Sequence, residues 1–102
     1  MGITKKFLKS KPVCKVTFKV PKTVANGAKD ITIVGDFNDW NSEALPMKGL
    51  KNGSFTATVD LPSGKEYQFR YLLDGDKWEN DEAADKYVPS PFGGAENCVL
   101  VV

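Results

Sequence analysis

The 102-residue sequence contains no histidine and only two cysteines. Without histidine, a serine or cysteine nucleophile lacks its usual general base, and two cysteines alone do not complete a zinc site. We therefore expect no metal and no cofactor. Cys14 and Cys98 are expected to be buried, reduced thiols, although a disulfide between the first and last strands stays geometrically possible.

Long apolar runs are also missing. The longest, at residues 98–102, is far too short to span a membrane, and the lysines of the N-terminus are not followed by the apolar stretch of a secretory signal peptide. Lys6 occupies the position where N-myristoylation would need serine or threonine. The sequence predicts a cytoplasmic protein without a membrane partner, unless a further segment precedes it.

Acidic residues are absent from the first 29 positions, which hold eight lysines. From Asp30 onward, six basic and thirteen acidic residues give a net charge of −7, which leaves the whole chain at +1. A basic stretch can indicate a nucleic-acid partner. The stretch at residues 1–29 contains a strand pattern and has Phe7 as its only aromatic residue outside that strand. Its lysines can also contact the acidic remainder of the same chain. We therefore expect no nucleic-acid partner and interpret residues 1–12 as a basic, flexible arm.

No helix of useful length is indicated, because apolar residues alternate with polar ones almost everywhere. Turn signals such as Asn52-Gly53 and Asp74-Gly75 separate these alternating segments, and 102 residues fit one domain. The pattern predicts an all-β sandwich or barrel. Strands are expected at residues 14–20, 31–36, 55–61, 67–73 and 97–102, with a short helix at residues 81–86.

No pair of carboxylates stands out as catalytic. Glycoside hydrolysis needs two carboxyl groups at a controlled separation, but thirteen acids make close pairs common by chance. Candidates such as Asp36 with Asp39, or Glu79 with Asp81 and Glu82, therefore carry little weight. No glycine-rich phosphate loop leads into a helix either. We expect that the chain is not an enzyme.

Both tryptophans lie in polar, turn-like surroundings, Trp40 after Asp-Phe-Asn-Asp and Trp78 between Asp-Lys and Glu-Asn. The apolar face of a pyranose ring stacks on an indole, and its hydroxyls bond to the polar side chains of such turns. The alternative for either residue is a hydrophobic lid over one end of the sandwich. Two tryptophans in similar settings favour a binding platform.

Arg70 lies on the face of strand 67–73 opposite the aromatic residues of that strand. If the aromatic face is the core, Arg70 points outward near the turn that carries Trp78. Its guanidinium can donate several hydrogen bonds to neighbouring hydroxyls. The alternative is a surface ion pair with one of the many acids.

Three segments together resemble one family: Val-Gly-Asp-Phe-Asn-Asp-Trp at residues 34–40, Tyr-Gln-Phe-Arg-Tyr-Leu-Leu-Asp-Gly at 67–75 with Trp78 after it, and Pro-Phe-Gly-Gly at 91–94 before a valine-rich end. They resemble the isoamylase N-terminal (early-set) domains, or carbohydrate-binding module family 48. This family includes the glycogen-binding module of the AMP-activated protein kinase β subunit and the N-terminal domains of glycogen branching enzymes. The resemblance covers residues 13–102.

This resemblance implies an immunoglobulin-like β-sandwich that binds α-1,4-linked glucan such as glycogen, starch or malto-oligosaccharides. It implies that both tryptophans stack on sugar, that Arg70 replaces a lysine that bonds sugar hydroxyls, and that Phe92 reaches into the glucan. Glu96 stands where the family has a sugar-binding asparagine, and Asn97 follows it. The predicted carbohydrate-binding set is Asn38, Trp40, Arg70, Trp78, Phe92, Glu96 and Asn97.

Family domains attached to hydrolases do not all bind glucan, and some only support a catalytic barrel. The second hypothesis is therefore a structural or protein-interaction module that contacts a partner, such as a separate glucan-active enzyme, without binding sugar. A monomer or weak dimer is expected.

Overall fold

The chain forms two antiparallel β-sheets, and the computed structural model describes residues 2–42, 45–90 and 96–102. Its elements are β1 (Gly2–Phe7), β2 (Val13–Val20), α1 (Lys22–Ala25), β3 (Ile31–Gly35), a 3-10 turn (Asp36–Asn38), β4 (Lys48–Gly49), β5 (Phe55–Pro62), β6 (Glu66–Leu73), β7 (Lys77–Glu79), β8 (Lys86–Pro89) and β9 (Glu96–Val101). The first sheet has the strand order β1-β2-β5-β4. The second has the order β3-β6-β9-β8, with β7 also paired to β6. The predicted all-β sandwich is confirmed.

The core lies between the sheets, because the alternation of each strand turns one apolar face inward. On β2, Cys14, Val16, Phe18 and Val20 are fully buried. The ring of Phe18 contacts that of Phe69 on β6, with centroids 5.3 Å apart in an edge-to-face arrangement. The aromatic face of β6 is therefore the core face, and the intervening residues of β6 face outward.

The N-terminal segment differs from the predicted flexible arm, because residues 2–7 form β1 along β2. Ile3 lies opposite Phe18 and packs against the core. Lys5 reaches across to the second sheet, where its Nζ lies 2.6 Å from Oδ2 of Asp85. The sequence did not predict this strand, because Lys5 stands at an inward-facing position where the alternating pattern requires an apolar residue. Its acidic partner, Asp85, is known only from the structure.

Asp85 links β1 to β9 through two hydrogen bonds. Its Oδ2 accepts one from Lys5 and another from the backbone N–H of Val101, at 2.7 Å. Burial opposes ionisation of Asp85, but these two donors outweigh it and hold the pKa of its carboxyl below the ordinary value.

The short helix predicted at residues 81–86 is wrong. Asp81 is fully buried, and its carboxylate accepts hydrogen bonds from the backbone N–H of Ala83 at 2.8 Å and from the hydroxyl of Tyr71 at 2.7 Å. An aspartate that bonds the backbone two residues ahead stabilises a turn in competition with a helix. The chain therefore turns at residues 81–85 and enters β8.

Among the described residues, no helix combines the length and apolar character needed to cross a membrane.

Candidate functional site

The outer face of the second sheet carries the polar residues of β6 and one tryptophan. Because Tyr71 and its neighbours at odd positions face the core, Gln68, Arg70 and Leu72 face outward. Trp78 on β7 lies directly opposite Leu72 in the ladder. Its side chain is 42% exposed, which is high for an indole beside a buried strand.

Arg70 lies where β6 changes its pairing partner. Residues 66–69 of β6 pair with β9, and residues 71–73 pair with β7, so Arg70 falls between the two ladders. The sheet opens at this point. Asn80, directly after β7, and Glu96, the first residue of β9, meet across the opening, where Nδ2 of Asn80 donates to the Glu96 carbonyl at 2.9 Å.

Two contacts hold the guanidinium of Arg70. Its Nε donates to Oδ1 of Asn80 at 3.0 Å, and its Cζ lies 5.5 Å from the centroid of the Trp78 ring. That distance allows a cation–π interaction. Because Asn80 engages only Nε, the N–H groups of the two terminal nitrogens are the donors that a ligand hydroxyl would meet.

The glycine at the end of β3 permits the turn that follows. A Cβ at Gly35 would lie 2.4 Å from the carbonyl oxygen of Gln68 and 2.8 Å from Cβ of Phe69, so only glycine allows β3 to approach β6 here. Asn38 then closes the turn: its Oδ1 accepts from the Gly35 N–H at 3.0 Å and its Nδ2 donates to the Ile33 carbonyl at 2.9 Å. The side chain of Asn38 is thus bonded to the backbone and holds the turn.

Trp40 is fixed to this turn by both of its N–H groups. Its backbone N–H donates to the Gly35 carbonyl, and its indole Nε1 donates to Oδ1 of Asp36, each at 2.9 Å. The other oxygen of Asp36 accepts from the backbone N–H of Gln68 at 2.8 Å. Trp40 is therefore tied to β6 two residues before Arg70.

The backbone at this tryptophan is strained. Asp39 and Trp40 both have left-handed conformations, with φ of 55° and 57°. Such angles are rare for a bulky residue and concentrate at functional sites. The Trp40 side chain remains 36% exposed, so the strained turn presents the indole to solvent.

Phe37, rather than either tryptophan, closes this end of the core. It packs against the buried cluster, with its ring centroid 6.2 Å from that of Phe18 and 6.1 Å from that of Tyr67. The hydrophobic lid considered as the alternative for the tryptophans is thus the neighbouring phenylalanine. We call the side chains of Trp40, Arg70 and Trp78 the tryptophan–arginine surface.

The other predicted sugar-binding residues have different positions. Asn97 alternates with the core residue Cys98 on β9, so it shares the outer face with Gln68. It is almost fully buried there and donates through Nδ2 to Oε1 of Gln68 at 3.2 Å. Glu96 is exposed, and its carbonyl oxygen accepts from Asn80. Phe92 lies outside the described residues.

Two of the acids named as catalytic candidates, Asp36 and Asp81, form hydrogen bonds that hold the structure. Asp36 holds Trp40 and the β6 backbone, as described above. Asp81 is fully buried, and its backbone carbonyl accepts from the hydroxyl of Tyr87 at 2.5 Å. Burial, together with the charge and hydrogen bond of Asp81, raises the pKa of Tyr71, so this tyrosine stays protonated and donates to the carboxylate.

The two cysteines are buried and are not joined in a disulfide. Cys98 lies against Asp81: the backbone N–H of Asp81 donates to Sγ of Cys98, with 3.1 Å between N and Sγ. Burial raises the pKa of the Cys98 thiol to about 11. Neither cysteine is part of the tryptophan–arginine surface.

Among the described residues there is no group of three or more cysteine, aspartate or glutamate side chains that could hold a metal ion.

A family model described as the glycogen recognition site of AMP-activated protein kinase matches residues 18–102 of this chain. The chain belongs to this family. Among curated proteins it is similar to subunit beta-2 of 5'-AMP-activated protein kinase from Mus musculus, Rattus norvegicus and Homo sapiens, with 32% identity to each over 77 residues. These matches cover 76% of this chain but only 27% of the mouse and rat proteins and 26% of the human protein. The chain thus spans about a quarter of the length of these relatives.

Membership of the glycogen recognition family confirms the resemblance seen in the sequence motifs. It supports a non-catalytic, glycogen-binding module on a β-sandwich, since members of this family are carbohydrate-binding modules. The structure gives two residues roles that the motifs did not indicate, Asp36 as the anchor of Trp40 and Asn80 as the partner of Arg70. One signal in the sequence pointed to Asn80: it follows Trp78 by two residues, and alternate residues of a strand share a face.

Proposed function

We propose that the chain binds α-1,4-linked glucan on the outer face of its second sheet and acts without catalysis. The observation that carries this proposal is that β6 anchors two exposed tryptophans on either side of Arg70. Trp40 is linked through Asp36 to the backbone N–H of Gln68, and Trp78 pairs with Leu72. Four residues of strand separate these points by about 13 Å, a span larger than one sugar ring.

This surface offers the two kinds of contact that a glucan needs. The indoles of Trp40 and Trp78 provide flat apolar faces for the C–H faces of glucose rings, and the terminal nitrogens of Arg70 provide donors for hydroxyl groups. Two stacking contacts and a few hydrogen bonds, less the cost of immobilising a flexible sugar, suggest a dissociation constant of about micromolar to millimolar.

The engaged carboxylates support a binding role without hydrolysis. Asp81 has no exposed surface, and both oxygens of Asp36 already accept hydrogen bonds from the protein. A general acid and a nucleophile or base must instead reach the glycosidic bond from a site open to the sugar. Release of reducing sugar from amylopectin by the pure chain would overturn this part of the proposal.

Affinity electrophoresis in gels that contain glycogen tests glucan binding. We expect the wild-type chain to be retarded and the Trp40→Ala/Trp78→Ala variant to migrate as it does without glycogen. Phe7→Ala is the matched control, because Phe7 is a 56% exposed aromatic residue on the first sheet. Unretarded migration of the wild-type chain, or equal loss in the control, would contradict the proposal.

A second candidate function, contact with a protein partner, is favoured by the opposite face of the molecule. The outer face of the first sheet presents exposed lysines on neighbouring strands: Lys6 of β1 lies opposite Lys15 of β2, and Lys19 of β2 lies beside Lys48 across one residue of β5. None of these four takes part in an ion pair among the described residues. Because the relatives are subunits of a kinase, we propose an acidic surface on a kinase or on a separate glucan-active enzyme as the partner.

Charge reversal tests this second candidate better than deletion of the N-terminus, since residues 2–7 are a strand of the first sheet. Lys15→Glu/Lys19→Glu is expected to abolish capture of the partner while glycogen retardation stays intact. Loss of both properties together would indicate a folding defect and would count against a separate partner face. If the Trp40→Ala/Trp78→Ala variant, rather than the charge-reversal variant, fails to capture the partner, the contact lies on the second sheet.

A further inference from the structure

We infer that Asn80 is a positioning residue, which fixes the guanidinium of Arg70 and, through it, the indole of Trp78. Asn80 itself would not touch the ligand. It would keep the tryptophan–arginine surface in its binding arrangement before any glucan arrives. The effect on glucan affinity rests on the proposed function, whereas the effect on Arg70 and Trp78 in the free protein does not.

The opening in the second sheet is what makes this role necessary. Arg70 lies between the β9 and β7 ladders, so no neighbouring strand continues beside it on that side. A long, flexible side chain at such a gap has many rotamers available. Asn80 fills the gap and accepts from Nε, which is the guanidinium nitrogen nearest the chain.

Asn80 is itself held rigidly on both sides. Its amide donates to the carbonyl of Glu96 on β9, and the next residue, Asp81, is fully buried. Asp81 is bonded through its carboxylate to Tyr71 and through its backbone N–H to Cys98. A binding residue is held accurately when its partner is locked by packing and hydrogen bonds of its own, and Asn80 meets that condition.

The chemistry of the pair also matters. A lysine at position 70 would present a point charge and no Nε–H, so the Asn80 oxygen would lack this fixed donor. Arginine uses Nε for Asn80 and keeps both terminal nitrogens for hydroxyls. The Arg70–Asn80 pair therefore holds a directed donor group, and the ring of Trp78 lies against the same guanidinium.

The first test measures the free protein in a Trp40→Phe background, where Trp78 is the single tryptophan. Asn80→Leu removes the acceptor, and we expect faster acrylamide quenching and lower fluorescence anisotropy of Trp78 than in the parent. Asn80→Asp keeps an acceptor oxygen for Nε but loses the donor to the Glu96 carbonyl, so it is expected to lie between Asn80→Leu and the parent. Identical Trp78 fluorescence in Asn80→Leu and the parent, with both folded by circular dichroism, would overturn the inference.

The second test measures affinity for maltoheptaose by calorimetry in the otherwise wild-type chain. Releasing one rotamer-rich side chain corresponds to about a two- to tenfold weaker affinity for Asn80→Leu. In an Arg70→Lys background the same change is expected to have no further effect. Equal weakening in both backgrounds would show that Asn80 acts independently of Arg70 and would refute the inference.

The two measurements separate the two proposals. If the wild-type chain shows no binding, the proposed function fails, and the fluorescence result alone decides whether Asn80 positions Arg70 and Trp78. If Asn80→Leu does not fold, the comparison of Arg70→Lys with its parent, both in the Trp40→Phe background, takes its place. Loss of the Nε donor should then loosen Trp78 in the same fluorescence assay, and an unchanged Trp78 signal would contradict the inference.

Discussion

Replacement of Gly35 by alanine should destabilise the domain through steric overlap alone. Gly35 has an extended backbone with φ of −172°, which any residue can adopt, so the change introduces no conformational strain. The added Cβ would lie 2.4 Å from the Gln68 carbonyl oxygen, about 1 Å short of an ordinary contact that begins at 3.4 Å. It would also lie 2.8 Å from Cβ of Phe69 and 3.0 Å from its Cα.

Two of these three atoms belong to the backbone of β6, so no side-chain rotation can relieve the overlap. β3 and β6 must separate locally, at the residue pair Gly35 and Phe69 that begins the turn to Trp40. Overpacking of a buried site costs about 1–3 kcal/mol. For a domain of this size, that cost corresponds to a melting temperature lower by about 5–20 °C.

Thermal unfolding followed by circular dichroism measures this effect. Gly2→Ala is the matched control, because no atom lies within 4 Å of the position of its Cβ and its φ is not positive. We expect the control to melt as the wild type does. A Gly35→Ala variant with the melting temperature of the control would refute the explanation of this glycine by close approach.

Three further changes test other parts of the structure. Asn38→Ala is expected to lower the free energy of unfolding by about 1–3 kcal/mol, because it leaves backbone groups at the turn without partners; an unchanged urea midpoint would contradict this. The pKa of Asp85 is lowered in the folded state, so its contribution is present above the ordinary aspartate value of about 3.9 and is lost as pH falls through the lowered value. Asp85→Asn should therefore reduce stability at pH 7 and flatten the acid dependence, whereas an unaltered pH profile would dismiss the Lys5–Asp85 anchor. Finally, burial raises the pKa of Cys98 to about 11. At pH 8 this thiol, like the buried Cys14, should therefore react with Ellman's reagent only after unfolding. Rapid reaction of the native protein would show that these thiols are accessible.

Alternation in the sequence was sufficient to predict the central strands of both sheets. Where polar and apolar residues alternate strictly, as in β2 and β6, the buried face follows directly from the period of a strand. The short strands were not predicted: β7 is three residues long and β4 only two, too short for a pattern. β1 was missed because the ion pair that accounts for Lys5 involves a residue 80 positions away.

The candidate site shows the same division. Trp40, Arg70 and Trp78 were predicted from local composition and motif, and the structure leaves both indoles exposed and ties them to β6 on either side of Arg70. Their supports depend on contacts between distant segments, such as Asp36 with the Gln68 backbone. No periodicity signals that β6 changes partner at Arg70, since this depends on where β7 and β9 end.

Glucan binding can be measured by titrating the isotopically labelled chain with maltoheptaose and recording amide and indole NMR spectra. Binding at the tryptophan–arginine surface should shift the two indole N–H signals, the signals of Arg70 and those of neighbouring β6 amides. Signals of Thr17 and Thr58, whose hydroxyls lie 3.1 Å apart on the outer face of the first sheet, should stay unchanged. Shifts confined to the first sheet, or no shifts at millimolar sugar, would contradict glucan binding at the tryptophan–arginine surface.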